Sequence, residues 1–586
     1  MDESFLSYYE SELSHLRNAG KQFAAEYPKV AARLQLGEDE CADPFVERLL
    51  EGVAFLTARI ARKMDDGLAD FSEQLLQQMA PAMVAPLVSR TVLQITRAEA
   101  PQDLLPAGTD FRVPTTLAGT PDCRFNTRED LVLSHLTAQD ASYLENSVPA
   151  LAAELGCDAL CALRTDYTAG ASYPGGTLRL FVAAPDSAAC ELMELLCCRC
   201  SGVVAESAGR RTLLPPPQED VAVPEEGGGL PLPAEYFAQQ AQLTFLNVEG
   251  LPALQEGDTL SLTFLLRRQP GHRLQLALGR PCLLPDCVRA INAFPQRLAR
   301  FTPSTRGVDL LVPEAPLRDR YEVLWPTEGA AYSEENERLF DIYPFYTALH
   351  RAMPEGGLRL NYIATHREKP VARPIGRVSS YPGDEVFARF SGPLFSSMRT
   401  QIAAVALRAV CSNRDLPLFV RRDSPLTTPP AELPAAARFA ASPTPPQPPL
   451  MRETTLWLGL ALLRLTPGAL ASYGDEVLPG LLRKLLHTLH APDNAAAAVQ
   501  LKAIRAVQVG VCTHTIPVQG DLCTLRGRRF TITLNEDAAG SSALFLFARS
   551  LAAYLFSLRE INTTMEVSFR TASRELWTWQ QRPTDP

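Results

Sequence analysis

Cys197, Cys198 and Cys200 stand together in one short run. The Cys-x-x-Cys spacing suits a redox dithiol or half of a metal site, but either chemistry needs a second ligand pair or an activating charge nearby. No second pair has matching spacing, and Leu195 and Leu196 beside these cysteines favour buried helix thiols. His487 and His490 lie three apart on an expected helix and could share a metal; with no carboxylate or cysteine beside them, a solvated helix face is the better reading. Glu334-Glu335 and Asp65-Asp66 are adjacent pairs, and adjacent residues do not face one another on a helix, so they read as loop charges and not as an acid/base couple. Gly227-Gly228-Gly229 runs into Leu-Pro-Leu-Pro instead of a helix start, so it cannot present amides to a phosphate. Gly-x-Ser-x-Gly and His-Glu-x-x-His do not occur. No catalytic, cofactor-binding or metal-binding residue is assigned. A cytosolic thiol- or metal-dependent enzyme built on Cys197, Cys198 and Cys200 stays as the competing reading.

The scaffold around these residues is large. At 586 residues the chain exceeds what one core organises, which predicts three to five domains. A hydrophobic share of 46% with 21% charged residues is that of an ordinary globular protein. The 48 prolines predict long extended connections. A formal charge of -10 argues against a nucleic-acid binder or a binder of anionic membranes, since both roles need a basic surface. The opening Met1-Asp2-Glu3-Ser4 lacks a basic region followed by an apolar run, and Leu456 to Leu465 and Leu544 to Leu558 are too short to span a bilayer. Cytoplasmic residence without membrane insertion is expected, with the 13 cysteines kept as thiols.

Phe5, Tyr9, Leu13, Leu16, Phe23 and Tyr27 recur at helical spacing up to Pro28. A second helix is expected from Asp43-Pro44 to a stop at Asp65-Asp66-Gly67, and a third from Phe71 to Pro81. Residues 1–90 therefore read as a helical N-terminal unit. Alternating runs such as Thr91 to Thr96, Cys123 to Thr127 and Leu178 to Val182, with a helix from Asp186 to Cys200, predict an α+β domain over 91–232. Leu243 to Val248, Thr259 to Leu266 and Leu274 to Leu278 predict a β-rich domain over 233–426. Residues 427–450, dense in proline and alanine, read as a semi-rigid linker. Helices at Leu456 to Leu465, Val477 to Leu489 and Leu544 to Leu558, with strands at Arg529 to Leu534 and Met565 to Arg570, give an α+β domain over 451–586. The fold class is α+β multidomain, with β-rich middle domains between the helical unit and this last domain.

An ordered series of segments adds a family likeness. Tyr8-Tyr9-Glu10-Ser11-Glu12-Leu13 with Leu16, then Asp43-Pro44-Phe45-Val46-Glu47-Arg48-Leu49-Leu50, Glu235-Tyr236-Phe237, Ile291-Asn292-Ala293-Phe294, Tyr343-Pro344-Phe345, Asn413-Arg414-Asp415-Leu416-Pro417, Leu534-Asn535-Glu536 and Ile561-Asn562-Thr563 fall in sequence. Together they resemble the TssF family of type VI secretion, also called VasA or ImpG. Arg289, where that pattern has proline, and Ala238 to Gln242, where it has aromatics and proline, depart from it. The resemblance implies a non-catalytic baseplate wedge protein without cofactor. Its implied partners are TssG, a second TssF copy, TssK, TssE and the VgrG spike hub, and its implied place is the cytoplasmic side of the inner membrane, reached through other components. The corresponding wedge of another contractile injection particle is the alternative within this class. Tyr8, Tyr9, Glu12, Leu13, Leu16, Asp43, Pro44, Arg48, Leu49, Asn413, Arg414 and Asp415 are the expected partner contacts.

Overall fold

The computed structural model describes residues 3–31, 44–98, 103–145, 148, 156–220, 230–271, 274–275, 278, 280–304, 308–345, 359–369, 381–391, 401–429, 434–452, 455–518, 521–535, 544–559, 563–572 and 575–581. Asp43, Gly227 to Gly229, Glu536, Ile561 and Asn562 lie outside the described residues. The chain divides into two units, 1–75 and 76–586.

In the first unit the helix Glu3–Glu26 is followed by the short Pro28–Ala31 and by the long helix that starts at Pro44. Proline at its first position suits that start, because a first-turn amide has no intrahelical partner to lose. The helix runs unbroken as Pro44–Met79, so the stop expected at Asp65-Asp66-Gly67 does not occur. Ile60, Met64 and Phe71 keep one helical period across that run. A mid-helix glycine costs only about 1 kcal/mol, too little to break a continuous apolar stripe.

The second unit is built on sheets whose strands come from distant parts of the chain. Arg90–Ala98, Cys287–Ile291, Cys123–Thr127, Asp110–Val113, Leu426–Thr427 and Ala435–Ala441 close a barrel in that order. Leu93, Phe111, Phe125, Val288, Ala437 and Phe439 fill it. The expected linker 427–450 is thus a barrel wall. Ala435, Ala437 and Phe439 alternate inward, while past the strand end Thr444 donates to the Arg90 carbonyl at 2.9 Å and Leu87 bridges Gln447. Proline fixes an extended backbone as well as a linker needs, and that extended backbone lies along the 87–90 segment instead.

The boundary expected between 232 and 233 is likewise crossed. Thr259–Leu266 pairs with both Cys161–Ala169 and Cys200–Ser207 in a five-stranded sheet, and Phe245–Leu251 pairs with Gly176–Val182 in a four-stranded one. The helix Asp186–Cys198 lies behind these strands. Leu274 and Gln275 form a helical turn and not a strand. A seven-stranded sheet runs in the order Phe294–Arg297, Ala404–Ser412, Glu322–Tyr332, Arg338–Pro344, Arg359–Glu368, Asp384–Ser391, Asp309–Leu310. At the C-terminal end Ile504–Val518, Asp521–Leu534, Thr564–Arg570 and Glu575–Gln581 form a sheet covered by helices that include Leu478–His487, Ala495–Lys502 and Phe545–Ser557. The expected α+β class holds throughout.

Asp521–Leu534 and Thr564–Arg570 run parallel with Gly527 opposite Thr564, and a Cβ on Gly527 would overlap the Thr564 carbonyl oxygen. Gly527→Ala should therefore destabilise this sheet by about 2–4 kcal/mol, read as a lowered unfolding transition in scanning calorimetry. An unchanged trace would contradict the pairing.

Candidate functional site

No predicted nucleophile or ligand set converges on a reaction centre among the described residues, so the site is built from surfaces and the clamps that hold them. In the first unit Glu3–Glu26 and the long helix pack antiparallel. Phe5 meets Phe55 edge-on with ring centroids 5.3 Å apart, and Arg17 pairs with Glu47, its Nε lying 3.1 Å from the carboxylate. Tyr8, Tyr9, Glu12, Leu13 and Leu16 are half-buried on the first helix. Pro44, Arg48 and Leu49 are exposed on the second. Ala54 and Ala58, on the side of the long helix that carries Glu47 and Phe55, are buried.

The other side is an apolar stripe that includes Leu49, one of the expected partner contacts. Phe45, Leu49, Val53, Leu56, Ile60, Met64 and Phe71 follow one another at helical spacing, and Phe45, Leu49 and Met64 are 80%, 68% and 67% exposed. Such a stripe spans roughly a 100° arc, the width one helix presents to another. A long run of large apolar side chains in water marks an interaction face.

Asn413 and Asp415 are buried, against the expectation of partner contact. Asn413 Oδ1 accepts from the Arg124 amide at 2.8 Å and from Asn292 Nδ2 at 2.9 Å, and the Asn413 amide donates to Asn292 Oδ1 at 2.8 Å. This reciprocal amide pair joins the barrel strand Cys123–Thr127 to the end of Ala404–Ser412 in the seven-stranded sheet. Arg414, half-buried at φ 54°, donates to the Pro382 carbonyl at 2.7 Å and to the Asp319 carbonyl at 3.2 Å. The motif is a corner that locks two sheets together. Sequence reasoning missed this because Asn292 lies 121 residues away.

The thiols are placed for packing. Burial raises the pKa of Cys197, Cys198 and Cys200, the last two to about 12, the reverse of what a nucleophile or thiolate ligand requires. His487 and His490 do meet, with centroids 4.7 Å apart. Yet His490 is buried against Phe237, its Nδ1 is 2.7 Å from the Ala491 carbonyl, and burial lowers its pKa. The solvated face expected there holds for His487 alone. Glu334 and Glu335 sit in an exposed turn, as a loop-charge reading requires.

Comparison with known proteins bears on what such a clamped scaffold with an apolar helix is for. A family model described as "Type VI secretion system, TssF" matches residues 1–585. The chain belongs to the TssF family. It is 30% identical over 632 residues to type VI secretion system component TssF1 of Pseudomonas aeruginosa strain PAO1, covering 100% of this chain and 99% of that protein. Among solved structures, a chain of the TssK-TssF-TssG baseplate subcomplex superposes with a TM-score of 0.70 at 19% identity over 92% of this chain and 99% of its own, which shows the shared fold. A chain from a type VI baseplate complex aligns with a TM-score of 0.49 at 20% identity over 99% of both.

A further TssF-like segment, and one residue that departs from the TssF pattern, are interior clamps. Glu235 is buried between Arg90, 3.0 Å away, and Arg128, 3.2 Å away. Burial alone would raise its pKa, but the attraction of Arg128 and Arg90 outweighs it and lowers the value to about 2. The Tyr236 hydroxyl accepts from Gln500 at 2.8 Å, and Phe237 packs on Phe547, so Glu235-Tyr236-Phe237 fastens the barrel to the C-terminal helices. Arg289, the departure from the TssF pattern, is fully buried. It pairs with Glu129 at 2.8 Å, donates to the carbonyls of Gln242 at 2.7 Å and Asp220 at 2.6 Å, and lies 4.3 Å above the Phe245 ring. No proline could do this.

Glu235→Gln should cost about 3–5 kcal/mol, because it leaves two buried guanidiniums without their counter-charge. The folded chain holds this carboxyl ionised down to about 2, so its stabilisation is present above the unfolded pKa and lost as pH falls through about 2. Denaturant titrations at neutral and acid pH check both points. Glu322 behaves oppositely. Burial raises it to about 7, while the Asp384 amide and the Tyr381 hydroxyl, at 3.0 Å, donate to it. The folded chain binds a proton that the unfolded chain releases, so this contribution is largest below the unfolded pKa and lost as pH rises through about 7. Glu322→Gln should flatten that pH dependence and exceed wild-type stability near pH ~8 by about 1–3 kcal/mol.

Proposed function

We propose that this TssF-family chain is a non-catalytic structural subunit of a type VI secretion baseplate. In this reading it assembles with TssG, a second copy of itself and TssK, and with TssE around the VgrG spike, to support sheath and tube assembly and effector delivery. The observation that carries the reading is the exposed apolar stripe of the long helix, from Phe45 to Phe71. Water-exposed leucine, isoleucine and phenylalanine gain about 25 cal/mol for each Å² of apolar surface they lose on docking. A partner helix of matching stripe would complete a small bundle with the helix pair already formed. The TssK-TssF-TssG composition of the structural neighbour supports TssG or TssK as the source of that helix.

The folded interior fits a mechanical role. Buried ion pairs and amide clamps fix the barrel, the sheets and the C-terminal helices as one frame, so load applied at one face is transmitted, not absorbed. Sheath contraction would then switch contacts between subunits from one packed arrangement to another. No described helix is long and apolar enough to cross a membrane. In this reading the protein works on the cytoplasmic side of the inner membrane, held there by other components.

Co-expression with a TssG from the same organism tests the proposal. The two should co-elute at micromolar concentration, and Leu49→Asp with Ile60→Asp should weaken the complex at least about tenfold while the second unit unfolds as in wild type. Separate elution of both wild-type partners would overturn it.

A further inference from the structure

The outer face of the seven-stranded sheet carries a charge arrangement that folding alone disfavours. Arg297 of Phe294–Arg297 lies directly opposite Arg408 of Ala404–Ser412. Phe294, Leu407, Ala409 and Cys411 point into the core, so the alternation turns Arg297 and Arg408 outward together. Like charges directly opposed on neighbouring strands repel. Among the described residues neither guanidinium has an ion-pair or hydrogen-bond partner, whereas their neighbours are engaged. Arg338 pairs with Asp341, and Arg300 donates to Asn336 Oδ1 at 2.7 Å and lies 4.9 Å above the Tyr332 ring.

These residues border a groove of about 650 Å³. Gly329 lines it at a point where the pairing of Glu322–Tyr332 with Ala404–Ser412 is irregular between Pro326 and Gly329 and a Cβ would come within 2.9 Å of the Leu407 Cα. A bulge of this kind bends a strand and is concentrated beside functional sites.

We propose that this groove docks an acidic protein segment, with a carboxylate seated between Arg297 and Arg408. Two adjacent planar guanidiniums offer paired N–H donors that match a carboxylate. Four arginines line the groove against Glu314, Glu328 and Asp341. One or two carboxylates would balance that excess, whereas a phosphodiester strand would bring one charge per nucleotide onto three carboxylates of a chain already at -10. Tyr332 and Tyr343 add flat surface for a peptide backbone. The inference rests on the baseplate reading only in taking the segment to come from an adjoining subunit.

The test uses the full-length chain and a fluorescein-labelled hexaglutamate peptide, followed by anisotropy at low salt. Saturable binding is expected, weakened at least about tenfold by Arg297→Gln with Arg408→Gln and suppressed as salt screens the charges. The double variant should melt at the wild-type temperature or above it, because the like-charge contact is gone. Absence of saturable binding, equal binding by the double variant, or a lowered melting temperature would overturn the proposal. Tighter binding of a labelled twelve-nucleotide oligothymidylate than of the peptide would also overturn it, in favour of nucleic acid. Co-elution with TssG is read separately, so failure of the groove and failure of the baseplate reading are told apart.

Discussion

A buried charge must be matched where it sits, and in this molecule that requirement organises the second unit. Glu235 lies between Arg90 and Arg128, and Arg289 between Glu129 and the Asp220 carbonyl, with both sets drawn from segments far apart in sequence. Leaving any one partner unmatched costs several kcal/mol, so the barrel, the four-stranded sheet and the helix Leu232–Ala238 must close together or not at all. Asn292 and Asn413 extend the same logic with neutral groups, tying the barrel to the seven-stranded sheet. A network of this kind adds little to stability over a well-packed apolar core. Its value is that it permits one arrangement only.

A single rigid arrangement is what an assembly subunit needs from its body, and the first unit supplies the complementary property. There the long helix keeps one side for Glu3–Glu26 and leaves the other apolar and exposed. Obligate subunits tolerate such a face because the partner, not solvent, is its working environment. In the proposed reading the frame would transmit force and the stripe would make contact, while the frame's cysteines and its buried histidine are set by packing.

The sequence carried the local elements well and the long-range order poorly. Helical spacing from Phe5 to Tyr27, the Pro44 start and the strands at Arg529 to Leu534 and Met565 to Arg570 were legible because each depends on neighbours within a few residues. The barrel was not legible: its walls come from residues 90–98, 287–291 and 435–441, and no periodicity announces which strand pairs with which. The proline-rich stretch looked like a linker because an extended backbone reads the same whether solvated or paired. The ordered segments identified the family correctly, but Asn413 and Glu235 proved to be interior clamps and Asp415 is buried beside the first. A polar residue in a recurring motif does not by itself say whether it faces a partner or another part of its own chain. Leu49, expected as a partner contact, does lie exposed, although an apolar stripe has one spacing whether it fills a core or waits for a partner.

Hydrogen exchange on the isolated chain and on its complex with TssG tests the central claim most directly. Assembly through the exposed stripe predicts that amides across 45–71 exchange quickly in the free chain and become protected in the complex, while the strands around Arg289 and Glu235 are protected in both. Exchange across 45–71 that is unchanged by TssG, with protection arising elsewhere, would contradict it.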